Sequence, residues 1–308
     1  MRRLVVSEFL QEEYLDLLRQ SFEVLYDPDL YADRSRLLDE IADAEAIFIR
    51  NRTRIDPEFV AAAGKMTVVG RLGVGLDNLD MDACAAAGLE VIPAVGANAI
   101  SVAEYVMGAM LVLLRGVYGM TASMVAGDWP RQGHAFGREA MGKVLGLVGL
   151  GSIARQVATR ARSFEMRIVA FDPYLPEADP GWLFAERMDF PELLGTADVV
   201  SIHTPLTEQT RNLIDSAALR LMKPDAILVN TSRGGIVDEP ALGEALRTGI
   251  IGGAALDVFA SEPLGSDPAS NFAGLGNVLL TPHVAGNTIE SVDRVARMIV
   301  EAVVARLG

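Results

Sequence analysis

The sequence predicts an α/β protein built on doubly wound parallel sheets, and three observations carry that prediction. Short apolar runs alternate with helix-compatible segments through the first ~100 residues. The stretch KVLGLVGLGSIA, Lys143 to Ala154, passes from an apolar run through a glycine turn into a helix start. Four further apolar runs then follow in series: Val199 to Ile202, Ala226 to Val229, Gly253 to Leu256 and Val278 to Leu280. Strands joined through helices run the same way, and a parallel sheet needs both faces covered.

Taken in order, the first units are Leu4 to Val6 with Glu12 to Gln20, Ala46 to Ile49 with Pro57 to Ala63, and Val68 to Gly70 with Met81 to Ala87, followed by Leu89 to Ile92. From Ser101 to Met120 the segment SVAEYVMGAMLVLLRGVYGM is helical in pattern and apolar nearly all round, so it needs burial on every side, in a core or between subunits. Gly127 to Gly142 reads as a connection; His134 lies in it and is assigned no role. Thr210 to Met222 suits a helix, and Glu239 to Arg247 suits another with Asp238 as N-cap. Thr288 to Leu307 places Ile289, Val292, Val295, Ile299 and Val303 on one face, an amphipathic helix long enough to reach back onto the first segments.

Composition narrows the function. At 308 residues, 50% hydrophobic and 22% charged, the chain is long enough for two domains with cores of their own. A formal charge of −14 argues against nucleic acid as partner, because phosphate backbones are held by clustered Lys and Arg. The single cysteine, Cys84, excludes an intramolecular disulfide and a cysteine-rich zinc site, and within MDACAAAG it reads as a small buried residue. No metal is expected. The amino-terminal MRRLVVSEFL lacks the apolar core of a signal peptide and no run has the length of a spanning helix, so the expected setting is cytoplasmic, without a membrane partner.

The glycine turn has a chemical reading. Gly149, Gly151 and Ala154 stand at Gly-x-Gly-x-x-Ala spacing: the first permits a tight turn, the second lets backbone N–H groups approach a pyrophosphate, and the third keeps helix and strand close. The helix start adds unpaired donors and a positive dipole end. A second apolar run, Arg167 to Phe171, ends in Asp172, which stands 21 residues beyond Gly151, the place of the carboxylate that holds an adenosine ribose. A carboxylate there repels a 2′-phosphate, so the expected cofactor is NAD and not NADP.

Ligands of parallel sheets bind beyond the carboxyl ends of the strands. Those ends carry Arg233 in NTSRGG, Asp257 and Glu262 in DVFASEP, and His283 in TPHVAG. Reduction of a 2-oxo acid needs hydride at carbon and a proton at oxygen. His283 is the candidate acid, since an imidazole titrates near neutrality. Glu262 favours its protonated form, and Arg233 grips carboxylate and carbonyl oxygens with its planar fork. His203, in SIHTPL, is placed at the cofactor crevice. Two further segments stay open. RNRTR would send Arg50, Arg52 and Arg54 to one side of an extended backbone, as an anion site or as a solvated loop. RLGVGLDNLD holds a glycine turn that is either ordinary or a carboxylate cradle.

These residues resemble the D-isomer-specific 2-hydroxyacid dehydrogenases, most of all the phosphoglycerate dehydrogenase branch. The likeness runs from about Ala46 to Gly286, through RLGVGLDNLD, GANAISVAEYV, GKVLGLVGLGSIA, the FDPY at Asp172, HTPLTEQTRNLI, NTSRGGIVDE, ALDVFASEP and TPHVAG. It implies Arg233, Glu262 and His283 as a catalytic triad. It implies NAD contacts at Val74, Gly149, Gly151, Ser152, Ile153, Asp172, Thr204, Pro205, Thr231, Ser232, Arg233, Asp257, His283 and Gly286. Substrate contacts are expected at Arg50, Arg52, Leu72, Gly73, Val74, Gly75 and Arg233.

The resemblance further implies two doubly wound parallel-sheet domains, a Rossmann NAD-binding domain at 99–286 inserted into a discontinuous flavodoxin-like substrate domain at 1–98 and 287–308. It also implies a homodimer paired through the cofactor domain and a cleft that closes on substrate. Ala154 stands where a third glycine is usual. The regulatory domain of some phosphoglycerate dehydrogenases is not expected after the last helix. The expected substrate is a small anionic 2-hydroxy acid of R type, 3-phosphoglycerate-like, with 3-sulfolactate and glyoxylate or hydroxypyruvate as alternatives. The arginines at 50, 52 and 54 favour a second anionic group. A competing reading from another class is an NADH-sensing corepressor-like protein, against which stands the lack of an extra partner-binding tail.

Overall fold

The computed structural model describes residues 1–131 and 137–308; His134 lies outside the described residues. In chain order the elements are β1 (Arg3–Val6), α1 (Glu12–Arg19), β2 (Glu23–Tyr26), α2 (Arg34–Ile41), β3 (Ala46–Ile49), α3 (Pro57–Ala62), β4 (Val68–Arg71), α4 (Met81–Ala86) and β5 (Glu90–Pro93). Then come α5 (Ala99–Arg115), α6 (Thr121–Val125), β6 (Val144–Val148), α7 (Ser152–Arg162), β7 (Arg167–Phe171), β8 (Glu186–Arg187), α8 (Phe190–Thr196), β9 (Val199–Ile202), α9 (Ser216–Leu221), β10 (Ile227–Asn230), α10 (Glu239–Arg247), β11 (Gly253–Leu256), α11 (Ser266–Ala269), β12 (Val278–Leu280) and α12 (Ile289–Leu307). They form two compact units, Met1–Asn98 with Asn287–Gly308, and Ala99–Gly286.

Both units have the expected α/β class, and every strand pairing is parallel. The first unit carries five strands in the order β2-β1-β3-β4-β5, a flavodoxin-like sequence whose winding reverses between β1 and β3. One face packs on α1 and α12 through Leu15, Leu18, Val295, Ile299 and Val303. The other packs on α2, α3 and α4 through Leu37, Ile41, Phe59 and Cys84. α12 reaches β4 because residue 70 has no side chain: a Cβ there would stand 2.9 Å from methyls of Ile299 and Val303.

The second unit carries seven strands in the order β12-β11-β10-β9-β6-β7-β8, with its reversal between β6 and β9. α5 and α7 cover one face through Val106, Met110, Val157 and Ala161. α8, α9 and α10 cover the other through Leu193, Leu219 and Leu242. The apolar girth of α5 is thus largely absorbed by its own unit.

The structure revises several element boundaries. The helix expected over 101–120 ends at Arg115, because Gly116 turns left-handed at φ 62° and cannot extend it. The helix expected over 210–222 is confined to Ser216–Leu221. Ahead of it, Thr210 Oγ1 donates to the Pro205 carbonyl at 2.7 Å, Asn212 turns left-handed at φ 51°, and Ile214 bridges to Val237. Asp215 then starts α9 by accepting from the N–H groups of Ala217 and Ala218. β2, α2, α6, β8, α8 and α11 carried no expectation; β2 and β8 are short edge strands without fully buried residues. Among the described residues no single helix is long and apolar enough to cross a membrane.

Candidate active site

The glycine turn lies at the reversal point of the second sheet, beyond the ends of the paired strands β6 and β9. Its two glycines are there for different reasons. Gly149 has φ 91°, and a Cβ on it would stand 2.6 Å from the His203 carbonyl oxygen, so fold geometry alone demands glycine. Gly151 has φ −75° and ψ −166°, angles any residue adopts, and nothing lies within 4 Å of where its Cβ would be. The fold leaves an open space there. Gly151 opens α7, and among the described residues no side chain caps that helix, which leaves the N–H groups of its first turn without an intrahelical partner. An open cradle lined by helix donors fits a dinucleotide pyrophosphate. Ala154 is fully buried against the sheet, as a close-packing position requires.

Asp172 follows β7 and sits beside the turn. One carboxylate oxygen accepts from Leu150 N at 2.9 Å and the other from Tyr174 N at 3.0 Å. Ser152 is exposed at the helix start and Ile153 is half-buried.

Across the reversal, His203 ends β9. Its Nε2 lies 2.9 Å from Ser201 Oγ, and burial drives its pKa down to about 3, so the ring is neutral at physiological pH. Its Nδ1 and the hydroxyl of Thr231 are buried and have no hydrogen-bond partner among the described residues. Thr204 is half-buried and Pro205 exposed. The loop after β10 is folded by its own polar groups: Asn230 Oδ1 accepts from Ser232 N, Asn230 Nδ2 donates to the Arg233 carbonyl, and Ser232 Oγ donates to the Ile202 carbonyl. Arg233 is half-buried, with Nη1 donating to the Ser232 carbonyl at 2.7 Å. Gly234 presses so closely on the next loop that a Cβ would meet the Phe259 carbonyl oxygen at 1.8 Å. Glycine at 234 is what lets the Arg233 loop and the Glu262 loop lie together.

Glu262 and His283 are paired, His283 Nδ1 to Glu262 Oε2 at 2.8 Å, while Glu262 Oε1 accepts from Phe259 N at 3.0 Å. With Nδ1 engaged, Nε2 is the ring position left for proton transfer, and the side chain is 50% exposed. Glu239, only 6% exposed, braces the same loop by accepting from Ala260 N at 2.6 Å. His283 itself is left-handed at φ 54°, an uncommon backbone for a residue with a Cβ. Asp257, 1% exposed, holds that bend: Oδ1 accepts from Val284 N at 2.9 Å and Oδ2 from Ala285 N at 2.8 Å. Its visible work is to shape the loop that carries His283. Gly286, half-buried, closes that loop.

In the first unit RNRTR is not the extended segment that would send its three arginines to one side: the chain bends at 51–53, and the arginines find different surroundings. A buried carboxylate, Glu8, folds the loop by accepting from the N–H groups of Arg50 at 2.7 Å, Thr53 at 3.0 Å and Arg52 at 3.2 Å. Arg50 then lies over the Phe9 ring at 5.9 Å. Burial pulls its guanidinium below the usual arginine range and the Glu8 charge works against that pull. Arg52 turns instead to Tyr31, over its ring at 5.0 Å and bonded to its hydroxyl. Arg54 is exposed and gives its carbonyl to Arg34. All of this lies at the reversal point between β1 and β3.

The 72–75 turn follows β4. Leu72 is buried and its N–H donates to the Ile49 carbonyl at 2.8 Å; Gly73, Val74 and Gly75 are half-buried. A Cβ on Gly73 would stand 2.3 Å from Nη1 of Arg71, whose guanidinium crosses that residue. Arg71, 7% exposed, and Glu8, 4% exposed, were not foreseen. A lone arginine closing the apolar run VVGR was the available signal for the first; Glu8 left none.

Comparison with known proteins agrees with this geometry. Residues 107–285 match the family model described as D-isomer specific 2-hydroxyacid dehydrogenase, NAD binding domain. An (S)-sulfolactate dehydrogenase of Chromohalobacter salexigens is 47% identical over 309 residues, covering 100% of this chain and 99% of that protein. A D-3-phosphoglycerate dehydrogenase of Mycobacterium leprae is 42% identical over 271 residues, 88% of this chain and 51% of that longer protein. A solved structure of a protein from Thermus thermophilus superposes with a TM-score of 0.88 at 34% identity, covering 99% of this chain and 96% of that one. The chain belongs to the D-isomer-specific 2-hydroxyacid dehydrogenases and is an NAD-dependent oxidoreductase of that family.

Proposed function

We propose that the protein interconverts a D-configured 2-hydroxy acid carrying a second anionic group at C3 with its 2-oxo acid, and that 3-sulfolactate fits better than 3-phosphoglycerate. One observation carries the choice: the sulfolactate dehydrogenase is 47% identical across nearly the whole of both chains, whereas the phosphoglycerate dehydrogenase is 42% identical over about half of a longer protein. The (S) label does not conflict with an R-type expectation. Sulfur outranks the carboxylate oxygens in priority, so the spatial arrangement called R in glycerate is called S in sulfolactate.

In this reading the unit Ala99–Gly286 holds the cofactor and the other unit serves the substrate. NAD supplies the hydride-transferring ring when bound, with the space at Gly151 taking its pyrophosphate and Asp172 its ribose hydroxyls. Arg233 grips the substrate carboxylate. His283 Nε2 takes the hydroxyl proton during oxidation and returns it during reduction, while Glu262 at Nδ1 stabilises the imidazolium that forms. The guanidinium of Arg50, held over Phe9 and in no ion pair with a carboxylate among the described residues, is the group that takes the sulfonate.

The test is NADH formation with (S)-3-sulfolactate, (R)-3-sulfolactate, D-3-phosphoglycerate and D-glycerate. The reading expects the highest kcat/KM with (S)-3-sulfolactate, by about tenfold or more, which is ~1.4 kcal/mol of discrimination. Faster turnover of D-3-phosphoglycerate would reverse the choice, and equal turnover of D-glycerate would remove the C3 anion from it.

A further inference from the structure

The left-handed bend at His283 is held from both sides by one carboxylate, and that carboxylate is itself part of a longer chain. His283 N donates to the Asp257 carbonyl at 2.8 Å, and the amides of Val284 and Ala285 donate to the Asp257 carboxylate. From the other flank, Thr281 Oγ1 donates to Asp257 Oδ1 at 2.6 Å. Thr281 Oγ1 also lies 2.5 Å from the hydroxyl of Tyr105, on α5. An ionised carboxylate only accepts, so the threonine proton is committed to Asp257 and the tyrosine must be the donor in the second contact. Burial pushes the Tyr105 phenol up, which keeps that donor protonated. The result is a directed chain, Tyr105 to Thr281 to Asp257, running from the long buried helix to the residues on either side of His283.

We propose that Tyr105 is a positioning residue for the His283 imidazole, acting through Thr281 and Asp257. α5 packs on α7, β10 and β11, so Tyr105 is anchored on a long helix held against the sheet of its unit. Its hydroxyl removes the remaining freedom of Thr281, and Thr281 in turn fixes which face of the Asp257 carboxylate meets the Val284 amide. Chains of this kind polarise along their length and give one orientation to the group at the end. The imidazole then keeps Nδ1 on Glu262 and Nε2 on the substrate. A misplacement of about 1 Å in a proton-transfer geometry costs about 10²-fold in rate, and the chain from Tyr105 ends on the acid-base group and not on the pyrophosphate cradle at Gly151.

The inference rests on His283 being the acid-base group, and the experiment separates the two. Steady-state NAD reduction with (S)-3-sulfolactate, or with D-3-phosphoglycerate if the wild type prefers it, is measured for Tyr105→Phe, Thr281→Val, the double variant and Thr281→Ser. Tyr105→Phe should lower kcat by about fivefold and Thr281→Val by about twentyfold, with KM and the NADH Kd within about twofold of wild type. The double variant should be no slower than Thr281→Val, because both changes break one chain, and Thr281→Ser should retain the wild-type rate. An unchanged kcat in Tyr105→Phe, losses that multiply in the double variant, or losses confined to KM or NADH affinity would overturn the inference. The same substitution in a His283→Gln background should have no further effect. If His283→Gln alone turns over like wild type, the acid-base assignment has failed and the role of Tyr105 falls with it.

Discussion

Replacing Gly151 with alanine separates a glycine the fold needs from a glycine the ligand needs. The backbone at 151 suits any residue and the place of the missing Cβ is empty to 4 Å, so the folded chain accepts the methyl without strain. Alanine also narrows the unfolded ensemble, which stabilises by ~0.4–1 kcal/mol, while the N-cap position prefers glycine to alanine by a similar amount, so Tm should stay within about 4 °C of wild type. NAD binding should respond far more strongly. The methyl projects into the space faced by the first-turn N–H groups of α7, and a pyrophosphate pushed back by about 1 Å loses at least one charge-assisted hydrogen bond worth ~1.5–3 kcal/mol. NADH Kd should therefore rise roughly 10- to 150-fold. Gly149→Ala is the contrasting control. At φ 91°, with a carbonyl oxygen 2.6 Å from the new Cβ, it should destabilise by about 2–4 kcal/mol. Isothermal titration with NADH, beside thermal melts of both variants, reads the two effects. A Gly151→Ala protein that binds NADH like wild type would show that nothing bound occupies that space, and one that melts well below wild type would show that the fold, too, required glycine there.

Two further outcomes are expected. Asp172→Asn keeps one acceptor oxygen, enough for the amide of Leu150 or of Tyr174 but not both, while removing the charge that opposes a 2′-phosphate, so the ratio of NAD to NADP kcat/KM should fall about tenfold or more, and an unchanged ratio would free Asp172 from that role. His203 is held neutral with its pKa near 3 against roughly 6.5 when unfolded, so its contribution is complete above pH 6.5 and is lost as pH falls from there toward 3. By pH 4.5 the wild type should have lost about 3 kcal/mol of urea stability beyond what His203→Gln loses; parallel pH profiles of the two proteins would contradict a neutral imidazole held there.

Much of the cofactor unit could be read from the chain. β7, β9, β11, β12 and α10 have the residues foreseen for them, because strands of a helix-covered parallel sheet are written as largely apolar runs, even at the half-buried edge strand β12, and an Asp-capped helix announces its start. The pairing of His283 with Glu262 followed from placing both beyond strand ends, since a parallel sheet brings all its carboxyl ends to one edge. The 210–222 helix was misread because threonines and a left-handed Asn212 broke a pattern that periodicity alone could not see broken.

By itself, then, the sequence determined the layering of two parallel sheets, the glycine turn, the carboxylate beside it and the groups at the strand ends, all of which depend on residue type and local spacing. Tertiary structure decided the rest. It sent Arg50 to Phe9 and Arg52 to Tyr31 by folding their loop around Glu8, a residue 42 positions before Arg50. It separated Gly149 from Gly151 by what stands beside each. It also made Asp257 the clamp on His283, with Tyr105 behind it. Each of these depends on which distant group fills a given space or accepts a given hydrogen bond, and linear spacing carries no record of that.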